Sequence, residues 1–315
     1  MSTQIKVVRG IADLRGIVSE WRRGGLKVAL VPTMGALHRG HLNLVRHAGV
    51  IADRVVVSIF VNPSQFAPHE DLARYPRDEA GDLAKLATEP CHLVWAPRVA
   101  DMYPEGFATR VVPSGAAQGL ESDFRPHFFG GVATVCAKLF GAVTPDVAVF
   151  GEKDYQQLCV LTQMVRDLNM PLGIVGVETE REEDGLALSS RNAYLSAPER
   201  QIAPALNRVL REVAAKAKAV VEDASGQRAG KAPRPAPLFR DPTSPPDEQE
   251  LAQLQALCAA ATADLQAAGF TKVDYVAVRE ADTLRTIARE GPARLRVLGA
   301  AWLGKTRLID NVAAD

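Results

Sequence analysis

One feature limits the fold more than any other. Between residues 28 and 177 the chain alternates short apolar, β-branched runs with helical stretches. The runs are "VALVPT" (28–33), "VVVSIFVNP" (55–63), "CHLVWAP" (91–97), "VAVFGEKD" (147–154) and "LGIVGVET" (172–179). Their β-branched content and their Pro, Asn or Gly ends favour strands over buried helix. "HLNLVRHAGVIA" and "DYQQLCVLTQMVRDLN" lie between them as helical segments. Strand alternating with helix implies an α/β fold, a doubly wound parallel sheet whose ligand binds beyond the carboxyl ends of the strands.

After this region the pattern changes. Ser196-Ala-Pro-Glu199 is a helix start signal, followed by Ile202, Leu206, Val209, Leu210 and Val213 at helical spacing. Six of the 20 prolines then fall between Pro233 and Pro246. That density excludes a helix or a central strand, and residues 222–247 read as a disordered, Pro-rich insertion. A second helix over 248–268 stops at Gly269, and two strand candidates follow, "KVDYVAVRE" and "RLRVLGAAWLGKTRLIDN". The expected organisation is a Rossmann-like nucleotide-binding domain over 1–185 and a smaller C-terminal α+β lid domain over 186–315.

Lys plus Arg and Asp plus Glu number 37 each, so the net charge is zero, which argues against a nucleic-acid binder. No run approaches the roughly 20 apolar residues of a membrane span, and the first residues lack the apolar core of a signal peptide. Cys91, Cys136, Cys159 and Cys258 are scattered without a C-x-x-C pair, as reduced cytoplasmic thiols would be.

The candidate chemistry sits where strands end. In "VPTMGALHRGH" an apolar strand turns into a helix whose unpaired N–H groups and positive dipole end favour an anion. Gly35 and Gly40 would let a phosphate approach the backbone closely. His38 and His41, three apart, would share one side of the first turn and donate to phosphate oxygens as pyrophosphate leaves. Taken alone, the pair is equally a helix cap with a half-buried histidine.

Other strand ends also carry polar groups. Asn62 and Gln65 of "VNPSQF" offer neutral amides to hydroxyls and carbonyls, although Asn62-Pro63 alone is equally a turn. In "FGEKDYQQL", Lys153 is a mobile charge for a phosphate, Asp154 opens a helix and Gln157 lies one turn on. Ser189, Ser190 and Arg191 offer hydroxyls and a guanidinium for a triphosphate on a loop able to close and exclude water. Alone, that segment reads as a polar linker. "GQRAGKA" (226–232) is one residue short of a P-loop, and "HEDLA", from His69, lacks the second His of a zinc pair. Cys136, Cys159, Trp21, Trp95 and Trp302 read as core.

Together, "PTMGALHRGH", "VNPSQF", "ARYPR", "FGEKDYQQL", "GLALSSRN" and "AAWLGKTRLIDN" resemble, in order and spacing, the motif set of the pantothenate synthetase (pantoate–β-alanine ligase) family. The resemblance runs from about residue 5 to 312. His-x-Gly-His alone marks only the wider nucleotidyltransferase superfamily. The resemblance implies that ATP and pantoate form pantoyl adenylate with release of pyrophosphate, and that β-alanine then displaces AMP. It implies an ATP site along Met34, Gly35, Ala36, Leu37, His38, Arg39, Gly40 and His41, with His41 as a proton donor. Gly151, Glu152, Lys153 and Asp154 would continue that site. Leu188, Ser189, Ser190 and Arg191 would complete it, with the backbone at Glu180 near the adenine. Gln65 and Gln157 would hold pantoate, Gln65 also lying near β-alanine, and Asn62 and Arg125 join them as substrate contacts. Mg²⁺ would arrive on the phosphates without a protein cage. A cytoplasmic homodimer is expected, and "VVVSIF" or the second domain could supply its interface.

Two departures stand out. The family commonly reads Arg-Pro-x-His-Phe-x-Gly-Val where this chain has "RPHFFGGV", so Phe128 holds the usual His position and His127 receives no role. The family supplies no function for the insertion. Competing readings are a nucleotidyltransferase with a phosphorylated acceptor, which would want more Arg or Lys beside the amides, and a tRNA synthetase, which the neutral charge disfavours. A nucleotide-binding regulatory module without turnover is a third, which retention of both histidines, Lys153 and Arg191 argues against.

Overall fold

The computed structural model describes residues 5–67, 70–229, 248–286 and 294–314. Cα packing divides the chain into two compact units. One comprises Met1–Glu180 and Leu188–Ser190, the other Arg181–Ala187 and Arg191–Asp315.

The first unit is a six-stranded, fully parallel sheet of β1 (Val7–Val8), β2 (Val28–Thr33), β3 (Arg54–Ile59), β4 (Leu93–Trp95), β5 (Val147–Gly151) and β6 (Gly173–Val177), in the order β1-β4-β3-β2-β5-β6. Five strands are the expected apolar runs. Two-residue β1 is too short to leave a pattern. Its helices are α1 (Ile11–Arg23), α2 (Arg39–Ile51), α3 (Glu79–Leu86), α4 (Val99–Met102), α5 (Glu121–Phe124), α6 (Phe128–Val143) and α7 (Tyr155–Asp167).

Side-chain alternation along each strand serves two helical layers. Ala29, Val31, Val55 and Val57 pack with Leu44, Val45 and Ala48 of α2 and Leu86 of α3. On the opposite face the ring of Phe150 meets that of Phe140 on α6, centroids 6.4 Å apart. Residues buried on both faces explain why the runs read as continuously apolar. Val55, Val56 and Val57 are 0% exposed between β2 and β4. The "VVVSIF" run is therefore inner-sheet core, and the expectation that it could supply a subunit interface is corrected.

The second unit contains α8 (Ala197–Ile202), α9 (Ala205–Ala229), α10 (Glu248–Ala267) and an antiparallel sheet of β7 (Lys272–Glu280), β8 (Leu295–Leu303) and β9 (Thr306–Ala313). Leu206, Leu210, Leu265, Val297 and Leu303 form its core. Three boundaries differ from the sequence reading. The helix from Ser196, started by Ser196 and Glu199 as expected, breaks before Ala205. Ala203 keeps a helical backbone, and Pro204, which brings no N–H, interrupts the hydrogen-bond ladder after it. The last strand candidate is a hairpin, turning at Gly304, whose φ of +53° suits glycine. Helix α9 continues to Ala229, so the segment expected to be disordered from 222 begins as helix, and 230–247 lies outside the described residues. Among the described residues no helix is long and apolar enough to cross a membrane.

Candidate active site

The direction of winding locates the crevice. From β2 the chain proceeds outward through β3 to β4, whereas β5 pairs with the other edge of β2 and leads to β6. The loops after β2 and β5 diverge at this reversal and leave room for a ligand at the carboxyl ends. The β2 loop delivers Met34–His38 and the first turn of α2. The β5 loop delivers Gly151 and the 3-10 turn Glu152–Asp154. His38, His41 and Lys153 are thereby brought together.

His38 is the N-cap of α2, and its backbone N–H donates to His41 Nδ1 at 3.3 Å. His41 therefore carries its proton on Nε2 when neutral. The two rings lie with centroids 4.0 Å apart and planes tilted by 35°. Burial, then the charges of Lys153 and Lys85, hold the His38 pKa down to about 4. Burial, then His38, Lys153 and Lys85, hold that of His41 down to about 3. Both imidazoles are neutral hydrogen-bond donors at pH 7, and the formal positive charge comes from lysine. Lys153 is four-fifths buried, with Nζ 4.0 Å from Asp154 Oδ2.

The glycines of the motif serve the protein itself. Gly35 has φ of +79°, and a Cβ there would lie 3.0 Å from Asp82 Oδ2 and 3.2 Å from Ile59. The open space beside Gly35, expected to admit a phosphate, is occupied by a carboxylate of α3. A Cβ at Gly40 would meet the His38 ring at 3.1 Å. The side chain of Leu37 is buried in the core, and the N–H groups of Ala36 and Leu37 donate to Asp82. These two N–H groups are engaged by the protein itself. Glu180 Oε1 lies 3.2 Å from Arg39 Nε, and Asn43 donates to Glu180 Oε2 at 3.4 Å, which brings Glu180 to the first turn of α2.

Opposite lie the amides. Asn62 is 1% exposed, and its Nδ2 donates to Gln65 Oε1 at 3.1 Å and Gly131 O at 3.2 Å. Its Oδ1 accepts from Ser64 N, Ser64 Oγ and Tyr103 OH, the last at 2.7 Å. Every hydrogen-bonding position of this amide is spent on protein, so Asn62 is not the substrate contact expected from sequence. What it does is fix Gln65, whose Oε1 is occupied and whose Nε2 faces Met34 Sδ at 3.1 Å. Gln157 sits half-buried on the first turn of α7. Its neighbour Gln156 is structural, bonding Ala116 O, Gly119 O and Glu121 N.

Arg125 is also engaged. Its guanidinium donates to Glu70 at 2.8 and 2.6 Å, to Glu121 at 3.1 Å and to Gln65 O at 3.1 Å, and it faces the Phe128 ring 4.0 Å away. A fork bound to two carboxylates holds Gln65 rather than reaching for substrate. Phe128, at the departure from the family pattern, supplies the face against which this cation rests.

Leu188 pairs its N–H with Glu180 O at 2.9 Å, and Ser190 Oγ lies 3.4 Å from the hydroxyl of Tyr75. Tyr75, from the "ARYPR" segment, is thus the anchor of the Ser189–Ser190 stretch. Arg191 begins the second unit within the 3-10 turn Ser190–Tyr194. Sequence alone does not single out Tyr103, Asp82 or Lys85, because none sits in a strand-end motif. The free cysteines include fully buried Cys136, whose pKa burial pushes up to about 12, in keeping with a core role. Among the described residues no group of three or more His, Cys, Asp or Glu is arranged to hold a metal ion.

The model of the pantoate–β-alanine ligase family matches residues 6–313. A pantothenate synthetase of Mesorhizobium japonicum is 52% identical over 309 residues, covering 98% of this chain and 97% of that protein. One of Paramagnetospirillum magneticum is 50% identical over the full length of both. The crystal structure of the Thermus thermophilus enzyme covers 98% of this chain and 99% of its own with 42% identity and a TM-score of 0.79. The ligase of Francisella tularensis, solved with β-γ ATP and β-alanine, covers 98% of both chains with 29% identity and a TM-score of 0.74. The chain belongs to the pantoate–β-alanine ligase family and is a ligase that uses ATP to form the amide bond of pantothenate.

Proposed function

We propose that this chain makes pantothenate in two steps in the crevice between the β2 and β5 loops. Pantoate's carboxylate attacks the α-phosphorus of ATP, giving enzyme-bound pantoyl adenylate and pyrophosphate. The amine of β-alanine then attacks the acyl carbon and AMP departs. The observation that carries this reading is the meeting of His38, His41 and Lys153 where the strand order reverses.

Pantoate is already ionised at neutral pH, so the first step needs positioning and stabilisation of the departing charge rather than a strong base. Lys153 and Arg191 supply positive charge to the phosphates. His38 and His41 act as neutral donors, His41 through Nε2–H. Gly151, Glu152 and Asp154 line the nucleotide with Met34, Arg39, Gly40, Glu180, Leu188, Ser189 and Ser190. Gln65 and Gln157 hold pantoate, with Gln65 also close to β-alanine, and Asn62 and Arg125 serve by holding Gln65. The second step needs a neutral amine and an anhydride shielded from water. Mg²⁺ carried on the triphosphate would supply charge neutralisation there. The half-exposed carboxylate of Asp154 beside Lys153 suits contact with its hydration shell. The family resemblance supports a homodimer, and the free cysteines suit a reducing, cytoplasmic compartment.

ATP–pyrophosphate exchange, run with and without pantoate and without β-alanine, tests the scheme. Exchange that requires pantoate, followed by pantothenate and AMP once β-alanine is added, is the expected result. Exchange independent of pantoate contradicts it.

A further inference from the structure

Helix α3 holds the turn that carries the first histidine. Asp82 and Lys85, three apart on α3, share one face of it. Asp82 is 1% exposed, and its two oxygens accept the N–H groups of Ala36 at 2.9 Å and Leu37 at 2.7 Å. Lys85 Nζ donates to Leu37 O at 2.7 Å and lies 3.8 Å from Asp82 Oδ1. Three backbone atoms of two consecutive residues are thus held by two side chains from a helix more than forty positions away in sequence.

The turn needs holding. Gly35 has φ of +79° and Ala36 φ of +51°, and a left-handed conformation is unfavourable for a residue with a Cβ. Consecutive N–H groups pointing one way form a cradle for an anion. Here the protein's own carboxylate fills it, so phosphate must be met by the groups that follow, beginning at His38. A released turn would swing His38, and with it the N–H that orients His41, away from the crevice.

We propose that Asp82 and Lys85 are positioning residues for adenylate formation, clamping the Gly35–Leu37 turn so that His38 and His41 face the phosphates. The inference rests on reading those histidines as phosphate donors. Lys85 has a further effect, since its charge faces both imidazoles. The titratable and charged groups around His38 are Lys153, Lys85 and Asp154, and those around His41 are neutral His38, Lys153 and Lys85, with Arg39, paired to Glu180, on the same helical turn.

The test is pantoate-dependent ATP–pyrophosphate exchange by the full-length protein and by Asp82→Asn, Lys85→Met, Lys85→Arg and His41→Ala. Asp82→Asn keeps the shape but sets an NH₂ against one backbone N–H, and Lys85→Met keeps the stem. Both should lower kcat for exchange by roughly 10- to 100-fold, the loss expected for a displacement of about 1 Å, and raise KM for ATP. KM for pantoate should stay the same. Lys85→Met should also move the acid limb of the pH profile upward, which a purely structural role would not, and Lys85→Arg should restore part of the rate. Should Asp82→Asn fold poorly, Lys85→Met carries the test. Wild-type exchange with an unchanged KM for ATP in a folded variant, while His41→Ala is inactive, overturns the clamp alone. Wild-type exchange in His41→Ala overturns the reading of the histidines beneath it.

Discussion

His38 gives its backbone N–H to His41 Nδ1 at 3.3 Å while the two imidazoles lie 4.0 Å apart, one tilted over the other. The contact fixes the His41 tautomer with its proton on Nε2. Protonation of either ring is unfavourable, because burial and two lysines oppose it. A bound triphosphate brings several negative charges to these rings and raises both pKa values, offsetting part of that opposition. ATP binding near pH 5 should therefore take up protons, and the uptake should shrink toward pH 8. Calorimetry in buffers of different ionisation enthalpy measures it. Binding enthalpies independent of buffer at pH 5 contradict the assignment.

The same depressed pKa values make stability depend on pH. An unfolded histidine protonates near its ordinary value of 6.5, but in the folded protein His38 does so only near about 4 and His41 near about 3. Below 6.5 the unfolded state binds more protons, so stability falls as pH falls until the folded values are passed. His41→Asn removes one such group, and the loss of stability between pH 6.5 and 4 should shrink by on the order of 2 kcal/mol. Urea denaturation at stepped pH provides the comparison, and an unchanged slope would mean His41 is not held neutral.

Gln65 is aimed by Asn62, which predicts a loss confined to one substrate. Asn62→Asp preserves the size of the side chain but replaces the donor facing Gln65 Oε1 with an acceptor, so Gln65 must turn over. KM for pantoate should rise about 10-fold or more, as for a misoriented hydrogen bond of about 1.5 kcal/mol, with KM for ATP unchanged. Tyr103→Phe removes one of the three donors at Asn62 Oδ1 and should reproduce a smaller part of the effect. Equal effects on both substrates in steady-state kinetics would place Asn62 elsewhere in the mechanism.

Distance along the chain sets what is legible in the sequence. Strands β2 and β5 announce themselves through local periodicity, and His38, His41 and Lys153 through position just past a strand end. Pro204 is equally visible, but its break inside an otherwise periodic helix is masked by Leu206 and Leu210 continuing the pattern. Gly304 hides its hairpin inside a long apolar run. Asp82 reaches the β2 loop across more than forty residues, and Tyr103 reaches Asn62 across about as many. Only folding decides that the amide of Asn62 is spent internally while Gln65 is turned toward Met34. Nothing local in "VNPSQF" distinguishes the two.

Arg125 and Phe128 form a second support for Gln65. Arg125→Lys keeps the charge but loses the planar fork that spans Glu70, Glu121 and Gln65 O. A higher KM for pantoate with unaltered ATP kinetics is expected, together with a lower Tm. Phe128→Leu keeps apolar volume and removes the ring facing the cation, at a cost of about 1–2 kcal/mol. Thermal unfolding and pantoate kinetics should move together in both variants. An Arg125→Lys enzyme with normal pantoate kinetics would separate the ion network from substrate positioning.

Gly131, in the segment where "RPHFFGGV" departs from the family pattern, offers the most demanding substitution. Helix α6 passes so close to the substrate loop that a Cβ at Gly131 would sit 2.4 Å from Ser64 O and 2.9 Å from the Gln65 Cα. Both neighbours are backbone, so no rotamer change relieves the contact. The carbonyl of Gly131 accepts from Asn62 Nδ2, and pushing helix and loop apart also strains that bond. Helix propensity alone would make Gly131→Ala stabilising by about 1 kcal/mol. Steric overlap should reverse the sign, giving a net loss of roughly 1–3 kcal/mol and several degrees of Tm. The displaced loop carries Gln65, so pantoate KM should rise while ATP kinetics stay near those of the parent. A Gly131→Ala protein at or above the parent Tm would show that α6 and the loop do not approach this closely.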